Sequence, residues 1–226
     1  MATDLSAAHR RRLREVWRSA GWPCRDILEL DLLATGMLMR EFDAQGRETL
    51  VVSEAGIQWL AAARRKHQAA LDDHEALVAR VAREMQRGGR IVWRGLSLRA
   101  PLVGEDGATR WALAMPDVFS IRHTTVEDHV EPVVHEIKVR RADLLADLRR
   151  ADKGAAYLSL ASQCWYVLRR GIADADEMPS AYGVMLADDL GLEVARPAPR
   201  RAARVPFALW VALARANAEP AQDDDV

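Results

Sequence analysis

Two short apolar stretches carry ionisable side chains where a buried strand is normally apolar. Residues 115–121 contain Asp117, and residues 133–139 contain Glu136 and Lys138. Both stretches are rich in β-branched residues, which is typical of strands. Because side chains two positions apart on a strand lie on the same face of the sheet, Glu136 and Lys138 are predicted to project together. If the strand with Asp117 lies alongside, two carboxylates and an ammonium group share one site.

Two carboxylates beside a lysine could bind a hard divalent cation and hydrolyse a phosphodiester. Mg²⁺ suits such a site because it binds through one or two carboxylates, retained waters and substrate phosphate oxygens, and Mn²⁺ can substitute. Asp117 and Glu136 are the predicted metal ligands, with the backbone carbonyl of Ile137 as a further ligand. Lys138 would orient the attacking water or stabilise the charge that develops on the phosphate. The alternative is a structural ion pair, which is disfavoured because two buried acids against one lysine leave an uncompensated charge.

The same residues resemble the motif of the PD-(D/E)xK nuclease superfamily. Pro116 and Asp117 look like the PD element, and residues 136–138, Glu-Ile-Lys, look like the (D/E)xK element. Over residues 84–200 the chain also resembles the MmcB-like DNA repair family within that superfamily. The positions that carry this second resemblance, beyond the motif itself, are Val139, Arg140, Arg141, Ala142, Asp143, Asp147, Lys153, Tyr157, Leu158, residues 181–184 and residues 191–194.

The resemblance implies a fold, an activity and further site residues. It implies a restriction-endonuclease-like α/β core, with a mixed sheet flanked by helices in the order αβββαβ, and a metal-dependent DNA nuclease in DNA repair. The helix before the sheet often supplies a metal-binding glutamate in this superfamily, and Glu84 holds that place. The alternative is that Glu84 is exposed to solvent at the edge of the apolar stripe of this helix. The residues that would contact nucleic acid, where the alternative is an ordinary surface, are Arg140, Arg141, Lys153, Tyr157 and Gln163. Gln163 is included because some nucleases of the superfamily have a glutamine there.

Periodicity and turn signals predict the same order of elements from residue 71 to residue 168. The predicted elements are a helix at 71–87, strands at 90–99, 111–121 and 133–139, one helix or two broken at Lys153-Gly154 within 141–162, and a strand at 164–168. Added strands at 182–186 and 192–194 and a closing helix at 207–214 follow. The nuclease-like domain is therefore predicted to span residues 67–214, and an acidic disordered tail residues 215–226.

Residues 1–66 form a predicted N-terminal module. Its predicted elements are helices at 5–20 and 25–35, a hairpin with strands at 37–42 and 48–52, and a helix from residue 53. This order resembles the wing region of winged-helix domains, although one helix lies between residue 21 and the hairpin where a full winged helix has two. The arginines within residues 10–14 either form a solvated helix face or contact DNA phosphates. The module is expected to dock DNA or a protein partner, or to be merely structural.

The composition is that of a soluble globular protein. Half of the 226 residues are hydrophobic, 29% are charged and the formal net charge is −1, so any DNA-binding surface must come from local clusters of arginine. Cys24 and Cys164 form no metal-ligand pattern and are expected to be free buried thiols. The sequence shows no signal peptide and no apolar run of the ~18–20 residues that a membrane span needs, so a cytoplasmic protein is expected.

Two functions are compatible with these observations. The first is a Mg²⁺-dependent nuclease that acts on DNA, and the intact set of Asp117, Glu136 and Lys138 favours it. The second is a catalytically silent nuclease-fold protein that binds DNA or serves as a scaffold, and the neutral overall charge and the acidic loop at 123–132 favour it. The sequence leaves open the choice between DNA and RNA, the mode of cleavage and the oligomeric state.

Overall fold

Two units make up the chain in the computed structural model, which describes residues 4–104 and 107–220. The units are Met1–Ala69 and Ala70–Val226. The elements of the N-terminal unit are α1 (Ala7–Arg18), α2 (Ile27–Ala34), β1 (Leu38–Phe42), β2 (Glu48–Val52) and the first part of α3 (Glu54–Arg87). The strands β1 and β2 pair antiparallel. The predicted order of two helices, a hairpin and a further helix is therefore confirmed.

The N-terminal unit has a small apolar core of its own. Leu13 of α1 and Leu32 of α2 pack with Leu38 and Leu50 of the hairpin, and all four are almost fully buried. Gly21 follows α1 at a point where the backbone approaches the hairpin closely. Its φ is +74°, its carbonyl accepts the Leu50 N–H at 2.7 Å, and a Cβ on it would lie 2.4 Å from the Leu50 carbonyl oxygen. Only glycine fits this contact without strain.

The helix α3 is longer than the sequence pattern predicts. The sequence pattern predicts separate helices from residue 53 and at residues 71–87. The structure has one helix of 34 residues. Neither glycine nor proline occurs between residues 57 and 87, so nothing in the backbone interrupts the helix. It ends before Gly88 and Gly89, the second of which has a φ of +72° and is typical of a helix end.

The C-terminal unit contains a six-stranded mixed sheet flanked by helices. After α3 its elements are β3 (Arg90–Arg94), β4 (Leu98–Val103), β5 (Thr109–Ala114), β6 (Val118–Arg122), β7 (Val133–Lys138), α4 (Arg141–Leu148), α5 (Ala151–Leu160), β8 (Gln163–Arg169), β9 (Gly183–Ala187), β10 (Leu192–Arg196) and α6 (Phe207–Arg215). The strand order is β10-β9-β8-β7-β6-β3. The strands β7, β8 and β9 are parallel, and the other neighbours are antiparallel. The predicted α/β class is confirmed. Within the described ranges, every helix falls short of the apolar length that crossing a bilayer requires.

Two of the predicted strands are broken in the structure. The strand predicted at 90–99 ends at Arg94, since Gly95 turns the chain with a φ of +60°. The strand predicted at 111–121 is interrupted at residues 115–117, where Pro116 has no N–H to donate to a ladder. Between the two breaks, the strands β4 and β5 pair antiparallel with each other and form a hairpin that is separate from the main sheet. Residues 105–106 between these two strands, and residues 221–226 of the predicted acidic tail, lie outside the described residues. Residues 215–220 of that tail are ordered, contrary to the prediction, and the Glu219 N–H donates to the Val92 carbonyl at 2.8 Å.

The helical segment after β7 consists of two helices, but the break is not at the predicted Lys153-Gly154. It falls at residues 149–150, and Gly154 lies inside α5. The Tyr182 hydroxyl donates to the Gly154 carbonyl at 3.1 Å, and a Cβ on Gly154 would lie 3.2 Å from that hydroxyl. This glycine therefore allows close packing and does not break the helix. Lys153 and Tyr157 consequently lie one helical turn apart on a continuous α5.

The sheet buries an apolar cluster on each of its faces. On one face Val134 of β7 and Leu160 of α5 belong to the same cluster, and on the other face Ile137 of β7 lies with Val81 of α3. Successive residues of a strand alternate between the two faces. The even-numbered residues of β7, Glu136 and Lys138 among them, therefore share the face with Val134.

The two cysteines are both free thiols in very different surroundings. Cys24 is exposed, so the expectation that both thiols are buried is wrong for this residue, whereas Cys164 is buried. Burial raises the pKa of the Cys164 thiol to about 12 against the opposing effect of Arg201. Since the thiolate is the reactive form, we expect a thiol-specific reagent at pH 8 to modify one cysteine quickly in the native protein and the second only after denaturation.

A Cys24→Ser variant should lose the fast phase of this reaction and keep the slow one. Two fast phases in the native wild type would show that Cys164 is accessible in solution, which would contradict its burial in β8.

Candidate active site

Asp117 lies where the pairing of β6 with β7 stops. The last residue pair of this ladder is Val118 with His135. Beyond it, the Ile137 N–H donates to the Asp117 Oδ2 at 2.7 Å, so the side chain replaces a backbone acceptor. The N–H and C=O of a strand residue point to the same side, so the Ile137 carbonyl also faces this edge. The continued register would place Pro116 opposite it, and Pro116 has no N–H to offer.

Glu136 is buried within a group of hydrogen-bond donors. The Tyr157 hydroxyl donates to its Oε2 at 2.8 Å and also lies 2.8 Å from the Met115 carbonyl oxygen. The Lys153 Nζ donates to the Glu136 Oε1 at 2.5 Å, and the Lys138 Nζ contacts the same oxygen. The Glu136 side chain is only 4% exposed. Both of its carboxylate oxygens therefore have protein donors.

Asp147 completes a network of two acids and two lysines. Its Oδ1 accepts from the Lys153 Nζ at 2.5 Å and lies 3.8 Å from the Lys138 Nζ, while the Tyr166 hydroxyl donates to its Oδ2 at 3.1 Å. From the sequence, one lysine leaves the charges of Asp117 and Glu136 uncompensated. In the structure Lys153 and Asp147 join Lys138 and Glu136, so the buried network has two acids and two lysines and its charges balance. Uncompensated charge therefore no longer disfavours a purely structural ion-pair network.

The network shifts the pKa values of Lys153 and Tyr157. Burial favours the neutral amine of Lys153, but the charge of Glu136 and the hydrogen bonds to Asp147 and Glu136 outweigh it and raise the pKa of Lys153. Burial, followed by the charge of Glu136, raises the pKa of the Tyr157 hydroxyl well above its ordinary value. Lys153 is therefore cationic at neutral pH, and Tyr157 is a hydrogen-bond donor.

His74 of α3, which is not among the residues predicted from the sequence, contacts Asp117. Its Nε2 lies 3.5 Å from the Asp117 Oδ1, and this interaction raises the pKa of His74 although burial opposes it. Burial also acts to raise the pKa of Asp117, but His74, the Ile137 N–H and the charge of Lys138 outweigh it, so that pKa is lowered. His74 precedes the buried Leu77 by three residues, and that helical spacing is the signal that could have placed it against the sheet.

Glu84 is not brought together with Asp117 and Glu136. Its Oε1 accepts from the Arg87 Nη1 at 2.9 Å, and the side chain of Glu84 is 41% exposed. It lies ten residues after His74 on the same helix, which is about 15 Å along the axis. The side chain of α3 that does reach Asp117 is thus a histidine and not the expected glutamate.

The residues expected to contact nucleic acid divide into two groups. Lys153 and Tyr157 lie in the buried network around Glu136, whereas Arg141 and Gln163 make contacts elsewhere. Arg140 occupies the N-cap position of α4 without a capping hydrogen bond from its side chain, and Arg141 pairs with Glu177 at 2.7 Å. Gln163 donates to the Ala198 carbonyl at 3.1 Å and lies at the start of β8, opposite Val133. Gln163 is thus at the far end of β7 from Lys138.

The oxygen atoms of Asp117, Glu136 and Ile137 are of the chemical type that binds Mg²⁺. Asp117 and Glu136 offer carboxylate oxygens and Ile137 offers a carbonyl, which are hard ligands of the type that Mg²⁺ prefers. No group of three or more His, Cys, Asp or Glu side chains among the described residues could hold a metal ion, so water and substrate would have to complete the coordination. An ion at Glu136 would also have to replace contacts that Lys138 and Lys153 make with it.

Comparison with known proteins assigns the chain to no family. No family model matches the sequence, and no curated protein matches it. The structure is similar to that of SPO1766, a protein of unknown function from Silicibacter pomeroyi, with 21% sequence identity and a TM-score of 0.40. The similarity covers 60% of this chain and 77% of the other.

Proposed function

We propose that the protein is a Mg²⁺-dependent deoxyribonuclease of the PD-(D/E)xK type that acts in DNA repair. The observation that carries the proposal is the 2.7 Å hydrogen bond from the Ile137 N–H to Asp117. It holds one carboxylate against the strand that carries Glu136 and Lys138, at the end of a ladder that Pro116 cannot continue. The proline and aspartate thus act together to form an edge lined by oxygen ligands.

The order of elements around the main sheet supports the same fold proposal. If the hairpin β4–β5 is regarded as an insertion, the order from α3 is a helix, the strands β3, β6 and β7, the helices α4 and α5, and the strand β8. This corresponds to αβββαβ with the second helix divided in two. We propose a restriction-endonuclease-like core, with the unit before residue 70 as a winged-helix-like module.

Each residue of the site has a distinct part in the proposed reaction. Asp117, Glu136 and the Ile137 carbonyl would hold Mg²⁺, which supplies polarisation of the phosphoryl oxygen and a more acidic bound water. Lys138 orients the attacking water or stabilises the negative charge on the phosphate. Lys153 is a positioning residue, because it contacts Glu136 and Asp147 and fixes the carboxylate of Glu136.

Tyr157 also positions Glu136, and it excludes water from it. The tyrosine is 2% exposed and its hydroxyl lies 2.8 Å from the Glu136 Oε2. A buried neutral donor fixes the orientation of the carboxylate without adding charge to the site. The side of Glu136 that faces α5 is therefore closed to water.

A catalytically silent protein is the second candidate, and the closed network around Glu136 favours it. Both oxygens of Glu136 have donors, and two lysines balance the charges of Glu136 and Asp147. Such a network can be stable without any metal ion. In that case the fold would bind DNA or serve as a scaffold and would not hydrolyse a phosphodiester.

Cleavage of end-labelled single-stranded, duplex and branched DNA separates the two candidates. We expect the wild type to cut at least one substrate with Mg²⁺ or Mn²⁺ and none with a chelator. Asp117→Asn should abolish cutting, because it removes a ligand charge while preserving the shape of the side chain. Asp143→Asn is the matched control, since it makes the same change at an exposed position on α4 and should cut at the wild-type rate.

Two outcomes would reject the nuclease proposal. If no substrate is cut while DNA still binds, the silent nuclease fold becomes the better description. If Asp117→Asn cuts as fast as Asp143→Asn, the activity lies elsewhere or comes from a contaminating enzyme.

A further inference from the structure

A basic groove lies within the N-terminal unit, between α1 and the first turns of α3. Its volume is about 740 Å³, and none of the described residues that line it is acidic. The charged and aromatic residues that line it are Arg10, Arg14, Trp17, Arg18, Arg64 and His67. Residues 1–69 contain eleven Lys and Arg and nine Asp and Glu, so the unit as a whole is nearly neutral. The positive charge of the groove is therefore a local arrangement and not a consequence of composition.

Three of the arginines form a row along α1. Arg10, Arg14 and Arg18 follow one another at intervals of four residues, which places them on one side of the helix about 6 Å apart. This spacing is comparable to that of neighbouring phosphates along a single strand. Arg64 and His67 lie on α3 and line the wall of the groove opposite α1. A polyanion lying in the groove would thus meet positive charge from both walls.

The groove arginines are not used in ion pairs. Among the described residues, no acidic side chain makes a salt bridge with any of the four arginines that line the groove. The neighbouring Arg11 and Arg12, in contrast, both pair with Glu15. An acidic side chain within reach would ordinarily be expected if the row were only a solvated helix face. The acidic residue of α1 lies beside the arginines that face away from the groove.

An aromatic side chain accompanies the charges. Trp17 lines the groove and is 58% exposed, although tryptophan is usually well covered. Ile57 and Leu60 supply apolar surface from α3. A positive channel with an exposed aromatic ring is the combination that binds single-stranded nucleic acid, since arginines attract the phosphates and a base stacks on the ring. An acidic protein segment would use the charges but would have no use for the ring.

We propose that this groove binds single-stranded nucleic acid, with the phosphates along Arg14, Arg18 and Arg64 and a base stacked on Trp17. The recognition is by charge and stacking, so it does not depend on sequence. The inference goes beyond the proposed nuclease and does not depend on cleavage at Asp117. A protein that cuts nothing could still bind through this groove.

Fluorescence anisotropy with the full chain, in chelator, tests the proposal. The probes are labelled oligo(dT) and oligo(U) of about 20 nucleotides, measured over a range of salt concentrations. Arg14→Ala and Arg64→Ala should each weaken binding and reduce the slope of log K against log salt by about 0.7, the value for one phosphate contact on a single strand. Trp17→Ala should weaken binding about tenfold with the slope unchanged, and Trp17→Phe should restore most of the loss.

Arg11→Ala is the matched control, because it removes the same charge from the same helix at a position that is 75% exposed and paired with Glu15. It should bind as the wild type does. Equal weakening in Arg11→Ala and Arg14→Ala would show an effect of net charge alone and would overturn the proposal. So would unchanged binding in the Arg14, Arg64 and Trp17 variants. Poly-glutamate that binds as tightly as oligo(dT) and is insensitive to Trp17→Ala would identify an acidic protein segment as the occupant instead.

Discussion

Replacing Lys153 with methionine is expected to lower the free energy of unfolding by about 3–5 kcal/mol. Lys153 contacts both Glu136 and Asp147 at 2.5 Å, and the three side chains are only 16%, 4% and 8% exposed. Methionine preserves most of the volume but leaves two buried carboxylates with the single ammonium of Lys138. The expected loss therefore comes from an unpaired buried charge and not from a cavity. Urea unfolding followed by circular dichroism measures it.

A second substitution should restore part of this stability. In Lys153→Met/Asp147→Asn one acid and one lysine remain, so the buried charges balance again and the free energy of unfolding should rise above that of the single variant. Arg149→Met is the surface control and should change stability by less than about 0.5 kcal/mol. If Lys153→Met costs less than about 1 kcal/mol, or the second substitution makes the loss larger, Lys153 does not compensate the two carboxylates in solution.

The local arrangement of the site could be predicted from sequence. The side chains of Glu136 and Lys138 meet because a strand places residues two apart on one face, and apolar β-branched neighbours identify that strand. The hairpin of the N-terminal unit was predictable for a similar reason, since a turn-rich loop separates two short strand-like runs. In both cases the structure depends on residues close together in the sequence.

The contacts that close the site depend on residues far apart, and sequence periodicity does not report them. His74 and Asp117 are 43 positions apart in the sequence. They come into contact because α3 packs on one face of the main sheet, and because β4 and β5 pair with each other as a separate hairpin before the chain reaches Asp117. Asp147 was part of the family resemblance without a predicted role, and only the packing of α4 and α5 on the sheet brings it to both lysines. Glu84 lies away from Asp117 for a similar reason, since helical spacing does not show which turn of a long helix lies over the site.

If the protein is a nuclease, replacing Lys138 should slow hydrolysis far more than it weakens DNA binding. The lysine shares the Glu136 Oε1 with Lys153, so after Lys138→Ala the carboxylate keeps Lys153 and Tyr157 as donors and its position should be preserved. If Lys138 stabilises charge that develops during hydrolysis, its loss should raise the barrier by about 3–4 kcal/mol and lower the single-turnover rate by about 10²–10³, with DNA binding in chelator nearly unchanged. Lys138→Arg retains the charge but not the geometry of the ammonium, so its rate should be intermediate.

Stability must be measured beside the rate, because Lys138 is itself buried and paired. The folded fraction of Lys138→Ala, taken from its urea unfolding curve, sets the largest loss of activity that unfolding can explain. A rate that falls only in proportion to that fraction would show that Lys138 is a structural residue. In a fully folded variant, a rate that falls by two orders of magnitude or more while binding persists would show that Lys138 stabilises the transition state. Only an interaction made in the transition state can be lost with a slower reaction and an unchanged affinity for the substrate.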